Sequence, residues 1–246
     1  MRLLAGLLAL FCLIAPVSAA PSFPALTGRV VDDAHILSAA NVSDITARLA
    51  ALEAKTSRQL LVVTVPSLGG YEISDYGYQL GRKWGIGQAK LNNGALFIIA
   101  PTEHRARIEV GYGLEPILTD AFSSIILQTA VLPRFRTGDF DGGVAGGVNA
   151  LVQQLSLDTS TAEARAAATA AQQGKSQDGG SLGALIAIIF IAFALLRVFG
   201  GWGLLPLLFM GGGGRGGGYG GGSDFGGGGF GGGGGSFGGG GSSGSW

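Results

Sequence analysis

The chain has 246 residues, and its 16 Lys and Arg balance its 16 Asp and Glu, so the formal net charge is zero. This balance argues against nucleic acid as a partner, because affinity for a phosphate backbone depends on an excess of positive charge. Only 13% of residues are charged, whereas 47 are glycine, a composition that no single globular domain normally has. The chain must therefore consist of segments that differ in composition. One domain of roughly 130 residues fits between the N-terminal and C-terminal segments.

The N-terminal segment has the pattern of a cleaved secretory signal. The apolar run Leu3 to Ala15 follows a positive residue, and Pro16 to Ala19 supplies the small residues of a cleavage site. We expect residues 1–19 to be removed, with cleavage after Ala20 or an uncleaved anchor as alternatives. Cys12 is the only cysteine and lies in this leader, so the mature protein would contain no thiol and no disulfide.

A second hydrophobic segment precedes the C-terminal tail. Residues 182–202 are apolar apart from Arg197, and their number matches the roughly 20 residues that a helix needs to cross a membrane. We expect one stop-transfer helix, with a buried helix of the soluble domain as the alternative. The predicted location is the cytoplasmic (inner) membrane, crossed once, with the folded domain on the periplasmic side and with Arg197 and Arg215 facing the cytoplasm.

The regions on either side of this segment have low-complexity sequences. Residues 159–181 are rich in Thr, Ala, Gln, Ser and Gly, which predicts a linker with a helical alanine part. In the tail, residues 203–246, the sequence from Gly211 onward consists mainly of glycine blocks separated by single aromatic residues. Such a chain cannot bury enough surface to offset its conformational entropy, so we expect a disordered glycine-rich tail. The alternative is that its aromatic residues act as weak adhesive points for self-association or for the membrane interface.

Residues 28–158 have the hydrophobic periodicity of a domain with both strands and helices. The apolar runs Leu60 to Val65 and Ala95 to Ile99 predict buried strands, and Arg105 to Val110 alternates like an antiparallel hairpin partner. The predicted helices run from about Ala39 to Lys55, around Tyr76 to Trp84, from Thr119 or Asp120 to before Pro133, and from Asp141 to Leu155. This order predicts an α/β fold in which a mixed sheet has helices on both faces.

The chemistry open to this domain is mainly that of oxygen ligands. Residues 28–158 contain no nucleophile elbow, phosphate-binding loop or zinc-protease motif, and we interpret the two histidines, His35 and His104, as non-catalytic. Asp32, Glu115 and Asp120 lie at loop positions near strand ends, where ligands of α/β sheets usually bind. Oxygen ligands alone suit calcium or magnesium. Each carboxylate by itself is better explained as solvated or as a helix cap, so the hypothesis depends on their convergence.

Four groups of sequence motifs follow one another along this domain. They are Val30 to Ser38, Lys83 to Gly87 with Asn92 to Leu96, Ile108 to Asp120, and Pro133 to Phe140. In order and spacing they resemble the TPM domain, named for thylakoid-lumen, photosystem II repair and acetylcholine-receptor modulator proteins. The layout of signal, domain, membrane helix and glycine-rich tail is similar to the bacterial YgcG-type branch. The resemblance implies a three-layer α/β/α sandwich outside the cytoplasmic membrane.

The resemblance also implies a function and a site. Some plant members are reported as acid phosphatases and as calcium-binding, which carries over to Asp32, Glu115 and Asp120 as metal ligands, with Asn93 as a weaker candidate. Calcium is the expected ion and magnesium the alternative. The leading hypothesis is a membrane-anchored scaffold module in the assembly, repair or quality control of membrane proteins; the alternative is a metal-dependent phosphatase. Pro116, where the family often has glycine, removes a backbone donor beside the expected site.

Overall fold

The computed structural model describes residues 21–174 and 234–246. The expected signal sequence, residues 1–19, and the expected membrane helix, residues 182–202, lie outside this described part. Within it, no helix has both the length and the apolar character that crossing a membrane requires.

The described residues build a mixed sheet of five strands. β1 (Val30–Asp32), β2 (Gln59–Thr64) and β3 (Gly94–Ala100) are parallel, and β4 (Arg105–Gly111) runs antiparallel beside β3. The fifth strand, β5 (Phe237–Ser245), belongs to the tail and pairs antiparallel with β4. The strand order is therefore β1-β2-β3-β4-β5, which confirms the predicted mixed sheet.

The helices lie close to their predicted positions. They are α1 (Ala39–Thr56), α2 (Ile73–Trp84), α3 (Asp120–Ile126), α4 (Leu132–Phe135) and α5 (Phe140–Leu155). The third predicted helix was expected to end before Pro133, but a π-helical stretch, Leu127–Val131, leads directly into α4. Pro133 lies in the first turn of α4, directly after the π-helical stretch, and the first turn of a helix is where proline is best tolerated.

Alternate residues of the strands are buried on opposite faces of the sheet. On one face, residues such as Val62 and Phe97 pack against α1, α3 and α5. On the other face, residues such as Val63 and Ile98 pack against α2. All four side chains are fully buried, and apolar burial of this kind is the main favourable contribution to folding. The domain is thus a three-layer α/β/α sandwich, as predicted.

Residues 159–174, in the expected linker, are helical and pack on the domain. Ala162 and Ala166 are fully buried in this contact. The buried Gln154 amide donates hydrogen bonds to the carbonyls of Ile117 (2.6 Å) and Ala162 (3.0 Å), which fixes the start of the helix. The helix propensity of alanine predicted the local structure, but composition alone did not reveal the docking.

The tail is the part of the chain where the structure departs most from expectation. We expected residues 203–246 to be disordered, but residues 237–245 form β5 at the edge of the sheet. The expectation considered only the surface that the tail could bury by itself. The unpaired backbone groups at the edge of β4 supply a partner for its main chain, so regular structure forms without a hydrophobic pattern in the tail.

Candidate functional site

Asp32 ends β1 and stabilises the loop that follows. Its Oδ1 accepts hydrogen bonds from the Thr64 hydroxyl (2.6 Å) and the Ile36 amide (3.2 Å), and its Oδ2 accepts one from the Leu37 amide (3.1 Å). Both carboxylate oxygens therefore have partners within the domain. In this arrangement Asp32 is a structural residue of the loop before α1.

Glu115 and Asp120 lie together at the other edge of the sheet. They line an open cleft of about 540 Å³ with residues of the first turn of α3 and the tail glycines 238–240. Oδ1 of Asp120 accepts a hydrogen bond of 2.7 Å from the Gly241 amide. Asp32 lies on β1, at the opposite edge. The structure thus brings together two of the three predicted ligands, and the tail contacts this pair.

The donor set does not fit the expected three-carboxylate cation site. In the two described ranges, no three His, Cys, Asp or Glu side chains are placed to hold a metal ion together. Asp32 is engaged by its loop and one oxygen of Asp120 by the tail. The oxygen atoms that remain as possible ligands are those of Glu115, the second oxygen of Asp120 and backbone carbonyls. Calcium takes roughly six to eight oxygen ligands.

Asn93, the weaker candidate, holds the turn before β3. Its Oδ1 accepts a hydrogen bond from the Gln88 amide (2.8 Å), and its Nδ2 donates to the Ser57 carbonyl (2.7 Å). The neighbouring Asn92 contacts the tail instead, because its Oδ1 accepts from the Ser236 amide at 2.8 Å. This turn therefore positions the chain just before β5.

A buried ion pair between Arg107 and Glu109 was missed by the sequence analysis. The two residues occupy alternate positions of β4, so their side chains lie on the same face of the sheet, beneath α2. The guanidinium Nε and Oε2 of Glu109 are 2.5 Å apart, and the side chains are 6% and 0% exposed. Opposite charges two residues apart in a predicted strand were the signal that could have revealed this pair.

The same arginine also binds the tail. Nη1 of Arg107 donates to the Ser243 hydroxyl at 2.9 Å, and Nη2 donates to the Gly239 carbonyl at 2.8 Å. Glu109 fixes the guanidinium from the other side. Because hydrogen bonds from a charged donor are stronger than neutral ones, Arg107 acts as a clamp between β4 and β5.

Burial raises the pKa of Glu109 to about 7. The charge and hydrogen bond of Arg107 and the backbone amide of Gly239 lower this pKa in part, whereas the negative charge of Asp120 adds to the rise. Oε1 of Glu109 has no hydrogen-bond partner among the described residues. Glu109 therefore titrates near neutral pH, within the contact between β4, α2 and the tail.

Two aromatic residues fix the ends of the docked tail. The buried ring of Phe237 packs in the α2 core, where a Cβ atom on Gly81 would lie 2.9 Å from it. Trp246 packs edge-on against Phe135, with ring centroids 4.7 Å apart, and its centroid is 6.1 Å from that of Phe140. These rings supply the apolar contact that the intervening glycines cannot make.

The domain approaches the tail closely at several glycines between the two rings. A Cβ atom on Gly238 would lie 2.3 Å from the Tyr112 ring, and one on Gly241 would lie 1.9 Å from the Ile108 carbonyl oxygen. One on Gly244 would lie 2.7 Å from a leucine side chain of α4. Gly241 also has a φ of +116°, which favours glycine. Backbone therefore leaves no room for a side chain at Gly241, whereas the tyrosine and leucine side chains beside Gly238 and Gly244 would have to move to admit one.

Fold and site together define an α/β/α sandwich domain that holds an extended segment along an edge strand. The family model named TPM_phosphatase, with the description TPM domain, matches residues 30–154. The chain therefore belongs to the TPM domain family, which confirms the resemblance drawn from its motifs.

Solved structures similar to this chain come from several bacteria. One is the N-terminal domain of a P. gingivalis protein, with 38% sequence identity and a TM-score of 0.50 over 52% of this chain and 82% of that chain. Another is the N-terminal domain of the cg2496 protein from Corynebacterium glutamicum, with 20% sequence identity and a TM-score of 0.43 over 59% of this chain and 90% of that chain. A third is the BA42 protein from the psychrophilic Bizionia argentinensis, with 21% sequence identity and a TM-score of 0.43 over 48% of this chain and 81% of that chain. The first supports the fold of the domain. No curated protein matches the chain.

Proposed function

We propose that this protein is a binding module that holds extended polypeptide segments in the β4 groove, the surface formed by the edge of β4 with Gly81, Arg107 and Phe135 beside it. The observation that carries the proposal is the pairing of β4 with β5, which joins residues as far apart in sequence as Arg107 and Ser243. In strand addition, main-chain hydrogen bonds provide affinity and side-chain pockets provide specificity. The Arg107 clamp and the pocket for the Phe237 ring add both affinity and specificity to this edge.

In the cell, this module would be held at the inner membrane through residues 182–202, with its domain on the extracytoplasmic side. The leader pattern and the hydrophobic segment in the sequence support this placement. Its partner would be a membrane protein undergoing assembly, repair or quality control. Incompletely assembled proteins expose extended segments, and such segments are the ligands that an unpaired sheet edge accepts.

Crosslinking in intact cells tests this proposal. A chain with Phe237→Ala and Trp246→Ala keeps the β4 groove but lacks both aromatic anchors of its own tail, so the groove should be more accessible. We expect membrane proteins to be crosslinked to the wild-type chain and to be recovered in larger amounts with this double variant. Ser245→Ala, which keeps both anchors, is the matched control and should behave as the wild type. Equal recovery from all three chains would contradict the proposal.

The cleft beside Glu115 and Asp120 favours a second candidate function, a metal-dependent phosphatase. Phosphatase chemistry of this kind needs a divalent cation, and this pair of carboxylates suits magnesium better than calcium, because magnesium keeps several waters and takes only one or two carboxylates. Release of phosphate that a chelator abolishes and that Glu115→Gln lowers by about 100-fold would support it. Asp32→Asn is the control and should leave the release unchanged. Equal turnover in Glu115→Gln and the wild type would exclude this function.

A further inference from the structure

We propose that the protonation state of Glu109 controls how firmly β5 is docked, so that the tail is held on β4 at acidic pH and docking weakens as the pH rises through neutrality. The inference goes beyond the proposed function, because it concerns the chain's own tail and stands whether or not the groove binds a partner. Three features carry it: the carboxylate is enclosed, one of its oxygens lacks a partner, and the tail forms part of the enclosure.

Three elements enclose the carboxylate of Glu109. On the α2 side it lies beneath Gly77, where an added Cβ atom would be 3.3 Å from Oε2. On β4 the guanidinium of Arg107 pairs with the same oxygen, and on the tail the amide of Gly239 donates a hydrogen bond to the carboxylate. The tail lies at the edge of the sheet, so its departure would expose the carboxylate to water while the other four strands stay paired.

The second oxygen of this carboxylate makes ionisation costly while the tail is docked. Oε1 of Glu109 is buried and has no hydrogen-bond partner among the residues that the structure describes. An ionised carboxylate accepts hydrogen bonds at both oxygens, and a buried charge that is incompletely paired costs free energy. The protonated carboxyl group carries no charge and avoids this cost. Burial beneath the tail therefore favours the protonated form, whereas contact with water favours the ionised form.

The charges around Glu109 do not reverse this preference. Arg107 supplies a positive charge from β4, and Asp120 supplies a negative one from α3. The residues that face the pair from α2 and β3, Gly77 and Ile98, are uncharged, as are the tail glycines. Burial outweighs the arginine, and the pKa of Glu109 is about 7 in the docked protein. Both states of the carboxyl group are therefore populated near neutral pH.

Release of the tail lets water reach the carboxylate, so the pKa of Glu109 should fall toward its ordinary value of 4.5. A proton that binds more tightly to the docked state stabilises docking at low pH, and this contribution is lost as the pH rises through about 7. If release lowers the pKa by one unit or more, the docking constant decreases by about five- to tenfold between pH 6 and pH 8.

A carbon-13 NMR titration of the Glu109 carboxyl group tests the switch. It is measured in the full wild-type chain and in the Phe237→Ala and Trp246→Ala double variant, whose tail lacks both anchors. We expect the pKa of Glu109 to be at least one unit higher in the wild type. An equal or lower pKa in the wild type would overturn the proposal. If the double variant does not fold, Gly241→Ala replaces it, because its added Cβ atom would collide with the Ile108 carbonyl oxygen.

A second measurement follows docking itself, through the amide chemical shifts of β5 at pH 6 and pH 8. Trp246→Ala, which keeps one anchor and loses the contact with the His104 ring, weakens docking enough for a change to be measured. We expect its docking constant to fall about five- to tenfold between these pH values, and Glu109→Gln in the same chain to remove the change. A pH dependence that survives Glu109→Gln would overturn the proposal. Neither measurement bears on partner binding, which the crosslinking experiment tests separately.

Discussion

Arg107 connects a buried carboxylate to a distant part of the chain. Its guanidinium pairs with Glu109 on one side and donates to tail atoms on the other. A buried pair of this kind gains little stability over an apolar one, but it is costly to break. Its directional hydrogen bonds suit it to positioning a segment that has few side chains of its own.

Arg107→Met tests the buried pair. It leaves Glu109 buried without its partner, so at about pH 8, where Glu109 is ionised in the wild type, we expect a loss of about 3–5 kcal/mol in the free energy of unfolding. Arg105→Met, on the same strand, is the control, because Arg105 and Glu72 are 38% and 71% exposed and such pairs contribute about 0–1 kcal/mol. Urea unfolding of both variants measures the difference. Equal losses would contradict the role assigned to Arg107.

Glu109 should make stability depend on pH. Its pKa is raised from 4.5 to about 7 in the folded protein, so between these values the folded state binds a proton more tightly than the unfolded chain. The contribution of Glu109 is therefore fully present below about pH 4.5 and is lost as the pH rises through 7. From about pH 5 to pH 8, the wild type should lose on the order of 2 kcal/mol relative to Glu109→Gln.

Thermal unfolding of the wild type and Glu109→Gln at these two pH values checks the sign and the size of this effect. Glutamine keeps a similar shape but does not titrate, so groups shared by the two proteins cancel. A stability difference that stays constant across the range, or one that changes in the opposite direction, would show that Glu109 is already ionised at low pH.

Individual site residues could be predicted only where local sequence determines their role. Asp120 was predicted to open a helix, and it lies in the first turn of α3, whose N-cap is Thr119. The role of Asp32 depends on the Thr64 hydroxyl of a neighbouring strand, which no local pattern reveals. The contacts of Arg107 with the tail depend on a pairing between distant segments, so the spacing of its charges alone could not predict them.

The secondary-structure elements differ in how their sequences encode them. Strands β2 and β3 and helices α1, α2 and α5 have apolar patterns that match their burial, so their predicted positions were close to the observed ones. The position of β4 was also predicted, but its alternating pattern did not show that Arg107 and Glu109 are buried as well. β5 has no such pattern. It depends on the edge of β4, on two aromatic anchors and on the absence of side chains between them, and these requirements become visible only once the groove is known.

Gly241→Ala tests the steric requirement of β5, with Gly239→Ala as a matched control. Both glycines have positive φ, +116° and +86°, so alanine is strained at either position. Only at Gly241 does the added Cβ atom collide with backbone, since nothing lies within 4 Å of one on Gly239. We expect Gly241→Ala to undock β5, and Gly239→Ala to cost only the backbone strain, about 1–2 kcal/mol.

Hydrogen exchange at the amides of β4 reports this undocking, because their protection depends partly on the neighbouring strand. Gly241→Ala should increase their exchange rates to those of the Phe237→Ala and Trp246→Ala double variant, whereas Gly239→Ala should change them little. If both alanine variants have the same rates as the wild type, the close contact at Gly241 does not determine docking.

For the whole molecule, docking of the tail constrains membrane topology. β5 pairs with β4 only if residues 234–246 and the domain are in one compartment. A single crossing by residues 182–202, as expected from the sequence, would put Arg215 and the following tail on the opposite side from the domain. Docking of the tail and a single membrane crossing are therefore incompatible in the same molecule. We predict that residues 21–174 and 234–246 lie on the same side of the membrane.

Labelling with a membrane-impermeant maleimide tests this prediction. Ser245→Cys reports on the tail and Thr102→Cys on the domain, and both positions are exposed. Cys12 is the only native cysteine and lies in the predicted leader, so it adds no thiol after cleavage. Both variants should be labelled to the same extent from the periplasmic side. Labelling of Thr102→Cys alone would place the tail across the membrane and contradict docking.

For the whole molecule, the sequence predicted the fold of the domain but not the addition of β5 to its sheet. The α/β/α layers follow from periodicity and from motifs of the TPM domain family. The contact between the tail and the domain has no signal in composition, because glycine-rich segments are usually read as flexible linkers. The decisive information is the fit between those glycines and one sheet edge, which is a property of the folded molecule.

The most direct test of this account is hydrogen–deuterium exchange of residues 237–245 in the full-length chain, followed by NMR. Docking along β4 predicts slow exchange for those amides of β5 that pair with β4, with protection that disappears in the Phe237→Ala and Trp246→Ala double variant. Exchange of all these amides at the rate of an unstructured peptide would show that the tail is free, and would contradict the account.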